Sequence, residues 1–142
     1  MSWFRNAAGL VALIGVAMSL ACGSSPSTTA PSAATFTDTF SGTVLQGGSN
    51  KDQNHFTVHQ APGSISVTIT KLAPLSTITI GLGLGVYDAT NQVCNLQLLS
   101  DTAKLNLVLS ANVSVAGELC VGLYDVGNIV DSIDFEVSVT HT

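Results

Sequence analysis

Ser64-Ile65-Ser66-Val67-Thr68-Ile69-Thr70 alternates strictly between small polar and β-branched aliphatic side chains. Because successive side chains of a β-strand point to opposite faces, this stretch predicts a strand with one buried and one solvated face. The same period of two recurs at residues 78–86, 105–109 and 133–139. Repeated half-buried strands of this kind are typical of antiparallel sheets.

Turn-forming residues separate these segments, for example Gly47-Gly48-Ser49-Asn50 and Ala61-Pro62-Gly63. Short strands at this spacing predict an all-β protein, a single antiparallel β-sandwich of jelly-roll-like form with about eight strands. The predicted strands cover residues 35–45, 53–60, 64–72, 77–87, 92–99, 104–110, 118–125 and 129–140.

The chain begins quite differently, with one positive charge at Arg5 and then an apolar run over residues 7–21. That run is shorter than the roughly 20 residues that a membrane-spanning helix needs. Its length and position predict a signal peptide at residues 1–21 that is removed on export.

Met18-Ser19-Leu20-Ala21-Cys22 resembles the bacterial lipobox, whose cysteine carries fatty acyl chains such as palmitate and becomes the new N-terminus. We therefore expect lipidation at Cys22 and a membrane anchor. The alternative is ordinary cleavage after Ala21, which leaves Cys22 as a free thiol. Gly23 after the cysteine resembles the sorting signal for the outer membrane, so we expect an extracytoplasmic protein at the bacterial outer membrane or cell surface.

Residues 22–34 are rich in Ser, Thr, Pro and Ala, a composition that predicts a flexible, disordered tether. The β-sandwich domain is then expected to occupy residues 35–142. Two cysteines remain in it, Cys94 and Cys120, and in an exported protein such a pair predicts a disulfide. A redox-active pair is the alternative, but the Cys-x-x-Cys spacing is missing.

Little in the composition indicates a catalytic, metal-binding or nucleic-acid-binding site. Nine acidic residues outnumber four basic ones, and no basic cluster exists, which speaks against a nucleic-acid partner.

His55 and His59 would share a strand face but lie about 13 Å apart, too far for one metal ion. Asp88 with Asn91, and Asp125 with Asn128, are acidic turns that would offer oxygen ligands to calcium if they met at one end, although such residues also build ordinary turns. We expect no catalytic residues, no metal site and no cofactor, with calcium as the open alternative.

Gly81, Gly83 and Gly85 remove the side chains from one face of a predicted strand. Three glycines on one face weaken a strand, so they need a reason. We favour close approach of another backbone or a bend of the sheet over the alternative, a flat groove for a ligand.

Several segments together resemble the bacterial pre-peptidase C-terminal domain, a small β-sandwich found beside secreted proteases and as a free-standing exported module. The resemblance spans about residues 35–141 and implies an accessory role without activity. It is carried by the repeated Leu84-Gly-Val-Tyr-Asp88 and Val121-Gly-Leu-Tyr-Asp125, by Asn50-Lys-Asp52-Gln-Asn-His-Phe56, by Pro62-Gly63 before Ile65-x-Val67-x-Ile69, by Gly117-Glu-Leu-Cys-Val-Gly-Leu-Tyr124 and by Phe135-Glu-Val-Ser-Val-Thr140.

The sequence thus predicts a lipid-anchored, non-enzymatic binding or structural module of the bacterial envelope. Its expected partners are the membrane, through the lipid, and an envelope protein, a peptide or a glycan. The alternatives are an accessory domain or subunit of an envelope hydrolase and a calcium-stabilised adhesion-type module.

Overall fold

The protein is described by a computed structural model that covers residues 32–142. This part of the chain is all-β, and its antiparallel sheets pack together as a β-sandwich, as predicted. Nine strands make up the sandwich: β1 (Phe36–Leu45), β2 (Ser49–Asn50), β3 (His55–Val58), β4 (Gly63–Ala73), β5 (Ile80–Asp88), β6 (Val93–Ala103), β7 (Val108–Val113), β8 (Gly117–Tyr124) and β9 (Ser132–His141).

In each sheet, one of the two inner strands comes from the C-terminal part of the chain: β9 in the first sheet and β8 in the second. The first sheet has the order β1-β9-β4-β7, so β9 and β4 are its inner strands. The second sheet has the order β2-β8-β5-β6, and β3 also pairs with β8. The edges are therefore β1 and β7 in the first sheet, and β6 with the short β2 and β3 in the second.

The core lies between the two sheets and consists of the aliphatic residues on which the alternation was recognised. Ile65, Val67 and Ile69 of β4 are completely or almost completely buried, and so are Ile80 and Leu82 of β5. Burial of each such side chain contributes roughly 1.5–3 kcal/mol, so this pattern both selects the strand register and stabilises the sandwich.

One predicted strand boundary is wrong in an informative way. The alternation at Leu105, Leu107 and Leu109 predicted a strand over residues 104–110, but β7 begins only at Val108. Residues 104–107 form a turn in which Leu107 N–H donates to the Lys104 carbonyl at 2.9 Å and Asn106 adopts a φ of 67°. The turn still packs Leu105 and Leu107 against the core, so the leucine spacing reflects burial rather than a strand.

The remaining differences are small. β6 extends to Ala103 rather than to residue 99, and β2 is a two-residue strand that no alternation could have revealed. Within residues 32–142, no helix has the length and apolar character that crossing a membrane requires.

The turn after β8 is organised by one carboxylate. Asp125 Oδ1 accepts hydrogen bonds from the backbone N–H groups of Gly127, Asn128 and Ile129, at 2.8–3.1 Å. Its Oδ2 accepts from Gly47 N–H at 2.8 Å, which ties this turn to the turn between β1 and β2. These bonds, above all the one from Gly47, favour the charged form and lower the pKa of Asp125.

Replacing Asp125 with asparagine should make the domain less stable at neutral pH but not at strongly acid pH. Because the folded-state pKa lies below the unfolded value near 3.8, the charged carboxylate stabilises the fold above that value. The contribution is lost as the pH falls through the lowered folded-state pKa. Urea unfolding midpoints measured from pH 7 down to about pH 2.5 should therefore converge for the wild type and the Asp125→Asn variant.

The control for this experiment is Asp131→Asn, in a neighbouring loop, because the Asp131 carboxylate accepts no hydrogen bond from the described residues. Its urea midpoints should run parallel to those of the wild type. Equal pH dependence in the two variants would show that the Asp125 carboxylate does not stabilise the turn through its charge.

Candidate functional site

The predicted signal peptide, the lipidation site at Cys22 and most of the tether lie outside the described residues. The predicted cysteine pair is present: Cys94 and Cys120 form a disulfide with a sulfur–sulfur distance of 2.07 Å, and both are fully buried. The bridge is unusual in its placement. Cys94 lies on β6 and Cys120 on β8, and β5 runs between them.

Gly85 explains how the two cysteines come together across β5. Two strands separated by a third are normally about 9.6 Å apart, yet the two cysteine Cα atoms are 5.8 Å apart. The pairing of β5 with β6 shifts register between Leu84 and Gly85, so β6 bulges there. A β-carbon on Gly85 would overlap the Asn95 carbonyl oxygen and lie 2.6 Å from the carbonyl carbon. The start of β6 therefore crosses over the outer surface of Gly85.

The other two glycines of this face are covered by side chains. The Tyr124 ring occupies the space beside Gly81, and the Leu96 and Leu99 side chains occupy the space beside Gly83. The expected close approach of a backbone thus holds at Gly85, whereas neighbouring side chains fill the face at Gly81 and Gly83. The depression that remains over this face is shallow, with a volume of about 330 Å³.

Tyr124, one of these covering residues, donates a hydrogen bond from its hydroxyl to Asp101. Burial of the phenol, with the Asp101 carboxylate as the second cause, raises the pKa of Tyr124 to about 12. The pairing links β8 to β6 across the glycine face.

A spectrophotometric titration should show tyrosine ionisation near pH 12 in the wild type, and Asp101→Asn should shift that step toward the ordinary value of about 10. The asparagine removes the negative charge beside the phenol but leaves its burial unchanged, so the shift should be partial. Tyr124→Phe, which lacks the hydroxyl, should abolish the step altogether. If the step survives Tyr124→Phe, it belongs to another tyrosine.

The two histidines considered as metal ligands do not converge. His55 is exposed on β3 and stacks on the ring of Tyr87, with ring centroids 4.1 Å apart. His59 is exposed beyond the end of β3, beside Phe36. Both histidine side chains are exposed to solvent.

The two acidic turns lie at opposite ends of the sandwich, because β5 and β8 run antiparallel with Gly81 beside Tyr124 and Val86 beside Leu119. The Asp88 carboxylate accepts from the backbone of Thr90 and Asn91, as Asp125 does in its own turn. The two turns therefore cannot supply one calcium site between them. Among residues 32–142, no group of three or more His, Cys, Asp or Glu side chains is placed to hold a metal ion.

One polar pair was missed by sequence reasoning. His141 is 2% exposed, and its Nε2 lies 2.8 Å from Asp38 Oδ2. The rings of Phe36 and Phe56 pack against it, and its Nδ1 has no hydrogen-bond partner within the described residues. The sequence pattern could have predicted the burial of His141, because the inward positions of β9, from Ile133 to Val139, continue with the same period to His141.

A cleft opens between the two sheets of the described domain, and we call it the apolar cleft. It has a volume of about 300 Å³ and lies between the edge strands β6 and β7. Leu84 and Leu98 line it from the second sheet and Ala111 and Val113 from the first, with Val115, 75% exposed, in the loop that follows β7.

In the part of the chain that the structure describes, the apolar cleft is open because only one side of the sandwich is closed. On the opposite side β1 contacts β2, and Asn50 Nδ2 donates to the Thr43 carbonyl at 3.4 Å. The rings of Phe40 and Phe56 also meet there, with centroids 6.4 Å apart. On the cleft side, side chains such as Val86 and Leu98 remain 44% and 39% exposed.

The cleft carries no charge. Its polar lining consists of neutral groups, those of Gln97, Asn112 and Ser114, and none of its lining residues is titratable. It therefore suits an uncharged apolar group and offers no acid, base or nucleophilic carboxylate to a reaction.

Comparison with known proteins finds no protein-family model that matches the chain and no match among curated proteins. The resemblance to the pre-peptidase C-terminal domain therefore stays a prediction from sequence.

Proposed function

We propose that this protein is a lipid-anchored, non-enzymatic binding module of the bacterial cell envelope, and that it binds an uncharged apolar group in the apolar cleft. The observation that carries the proposal is the cleft itself, an apolar gap of about 300 Å³ between two sheets. Its volume is at the lower end of the range of about 300–1,000 Å³ for ligand sites.

The character of the lining supports binding without catalysis. The side chains that border the cleft are aliphatic or neutral, so a bound group would be held by desolvation and by hydrogen bonds to amides. No aromatic ring lines the cleft, which disfavours a sugar as the ligand because sugar rings usually stack on aromatic side chains. The anchoring half of the proposal rests on Cys22 and on the tether that follows it.

The binding half is tested with a neutral apolar dye, Nile red, whose fluorescence rises on transfer to an apolar site. The full chain in phospholipid vesicles should bind the dye saturably above the signal of vesicles alone. Leu98→Glu places a charge in the cleft and should weaken binding about tenfold, since an unpaired charge is costly to desolvate. Leu99→Glu is the matched control, because Leu99 is 54% exposed and faces the outer surface of the same strand.

The anchoring half is tested by growth with an alkyne-labelled fatty acid and by the intact mass of the membrane-extracted protein. Wild-type protein should carry the label and begin at an acylated Cys22, and Cys22→Ser should carry none. Unlabelled wild type would reject the lipid anchor, and equal dye binding by Leu98→Glu and the wild type would reject the cleft as the binding site.

A further inference from the structure

The strand that borders the apolar cleft, β7, is an unprotected sheet edge. Among residues 32–142 it pairs with β4 alone, and its register from Gly63–Val113 to Thr68–Val108 runs without a shift. Natural sheet edges are usually blocked by charged residues, proline or bulges. The sequence of β7, Val108-Leu-Ser-Ala-Asn-Val113, contains no charged residue and no proline.

The other long edge of the cleft, β6, is blocked in the usual way. Its pairing with β5 shifts register twice, between Ile80 and Leu82 and between Leu84 and Gly85, and it carries Asp101. Two bulges kink the strand and interrupt the row of backbone groups that another strand would need. Of the two edges, β7 is therefore the one that can accept a further strand.

The backbone of β7 also has its free groups at the correct positions. Ile69 N–H donates to the Leu107 carbonyl at 3.2 Å. Because bonded and non-bonded pairs alternate along an antiparallel ladder, Leu109 and Ala111 bond to β4 in the same way. The N–H and C=O groups of Val108, Ser110 and Asn112 consequently point away from β4, toward the open edge.

A strand added at this edge would place every second side chain between the sheets. The inward side chains of β7 are Leu109, Ala111 and Val113, which are partly buried, and the matching side chains of an added strand would enter the apolar cleft. The Ala111 side chain is small, so it fills little of the cleft. Because the lining carries no charge, it favours aliphatic, uncharged side chains at the inward positions of the added strand.

We infer that the ligand of the apolar cleft is an extended peptide segment that adds to β7 as a strand and inserts alternate aliphatic side chains into the cleft. This inference rests on the proposed function and names its partner. Main-chain hydrogen bonds to Val108, Ser110 and Asn112 would supply affinity, and the cleft would supply specificity.

The test uses a fluorescein-labelled peptide, Thr-Val-Thr-Val-Thr-Val, with an acetylated N-terminus, and the full chain in phospholipid vesicles. Fluorescence anisotropy should show saturable binding above that of empty vesicles. Hydrogen exchange followed by mass spectrometry should show added protection in residues 108–113, because saturating peptide should slow the open-edge amides of Val108, Ser110 and Asn112 about tenfold. The same peptide N-methylated at every residue, which has no N–H group to donate to the ladder, should not bind.

Two variants, each with a matched control, separate the role of the edge from that of the cleft. Ser110→Pro removes only an N–H that points to the open edge, so it should weaken peptide binding about tenfold while the β4 ladder stays intact. Ser110→Ala keeps the N–H and should bind within about twofold of the wild type. Leu98→Glu should weaken binding about tenfold and Leu99→Glu should not. If Ser110→Pro does not fold, as judged by its melting temperature, the Leu98 and Leu99 pair decides.

Three outcomes would overturn the inference: no peptide binding by the wild type, equal loss in Leu98→Glu and Leu99→Glu, or a dimer whose 108–113 amides are already protected by a second copy. Peptide failure with intact Nile red binding would reject strand addition and leave the proposed function standing. Failure of both would reject the cleft as a binding site.

Discussion

Replacing Gly85 with alanine is expected to destabilise the domain by about 3 kcal/mol, at the upper end of what a single added methyl group does in a packed interior. The new β-carbon would overlap the Asn95 carbonyl oxygen and lie 2.7 Å from Leu96 Cα. These are backbone atoms, so no side-chain rotation can relieve the overlap. Relief would require β6 to lift off β5, and urea unfolding at neutral pH measures the cost.

Two other glycines provide graded controls for this prediction. Gly117→Ala, in β8, adds its methyl group to open space, because no atom of the described residues lies within 4 Å of the new carbon apart from Gly117 and its two chain neighbours. It should leave the free energy of unfolding within about 1 kcal/mol of the wild type. In Gly81→Ala the atoms nearest to the new carbon belong to the Tyr124 ring, a side chain that can turn away, so this variant should fall between the two. A Gly85→Ala variant as stable as Gly117→Ala would mean that β6 does not cross β5 at this point.

The fold could be predicted because most of its strands bury one face and expose the other. In β9, and in β4 from Ile65 to Thr70, each buried aliphatic residue is followed by a polar one, and this period leaves little choice of register. The same reasoning failed at Leu105 and Leu107, because a turn whose side chains pack against the core also spaces its apolar residues two apart. A period of two therefore indicates which side chains are buried, and it does not by itself establish a strand.

The candidate site could not be predicted, because it depends on which strands become edges. Nothing in residues 108–113 distinguishes an edge strand from a central one until the order β1-β9-β4-β7 is known. Likewise, counting cysteines predicted the Cys94–Cys120 pair but not that the bridge crosses β5. The glycine that permits the crossing was recognised as unusual, yet its partner atom belongs to Asn95, and only the bulge in β6 brings that atom close.

Removing the disulfide with Cys94→Ala and Cys120→Ala together is expected to lower the free energy of unfolding by about 3.5 kcal/mol, from the loop entropy that the bridge removes from the unfolded chain. The cysteines are 26 residues apart in sequence, and alanine avoids leaving a buried hydroxyl group without a partner. Urea unfolding with and without a reductant supplies the control. Reductant should bring the wild type down to the level of the double variant and leave the double variant unchanged.

The disulfide and Gly85 should not act independently, because the bridge holds Cys94, and with it Asn95, against the outer surface of β5. Without the bridge the start of β6 can move outward and accommodate a β-carbon at position 85. Gly85→Ala should therefore cost about 1 kcal/mol less in the cysteine-free background than in the wild type. The relief should be partial, since Asp52 Oδ1 still accepts from Cys94 N–H at 2.9 Å and Lys51 Nζ still donates to the Cys94 carbonyl. Strict additivity of the two changes would instead mean that Asn95 is held over Gly85 by these polar contacts alone.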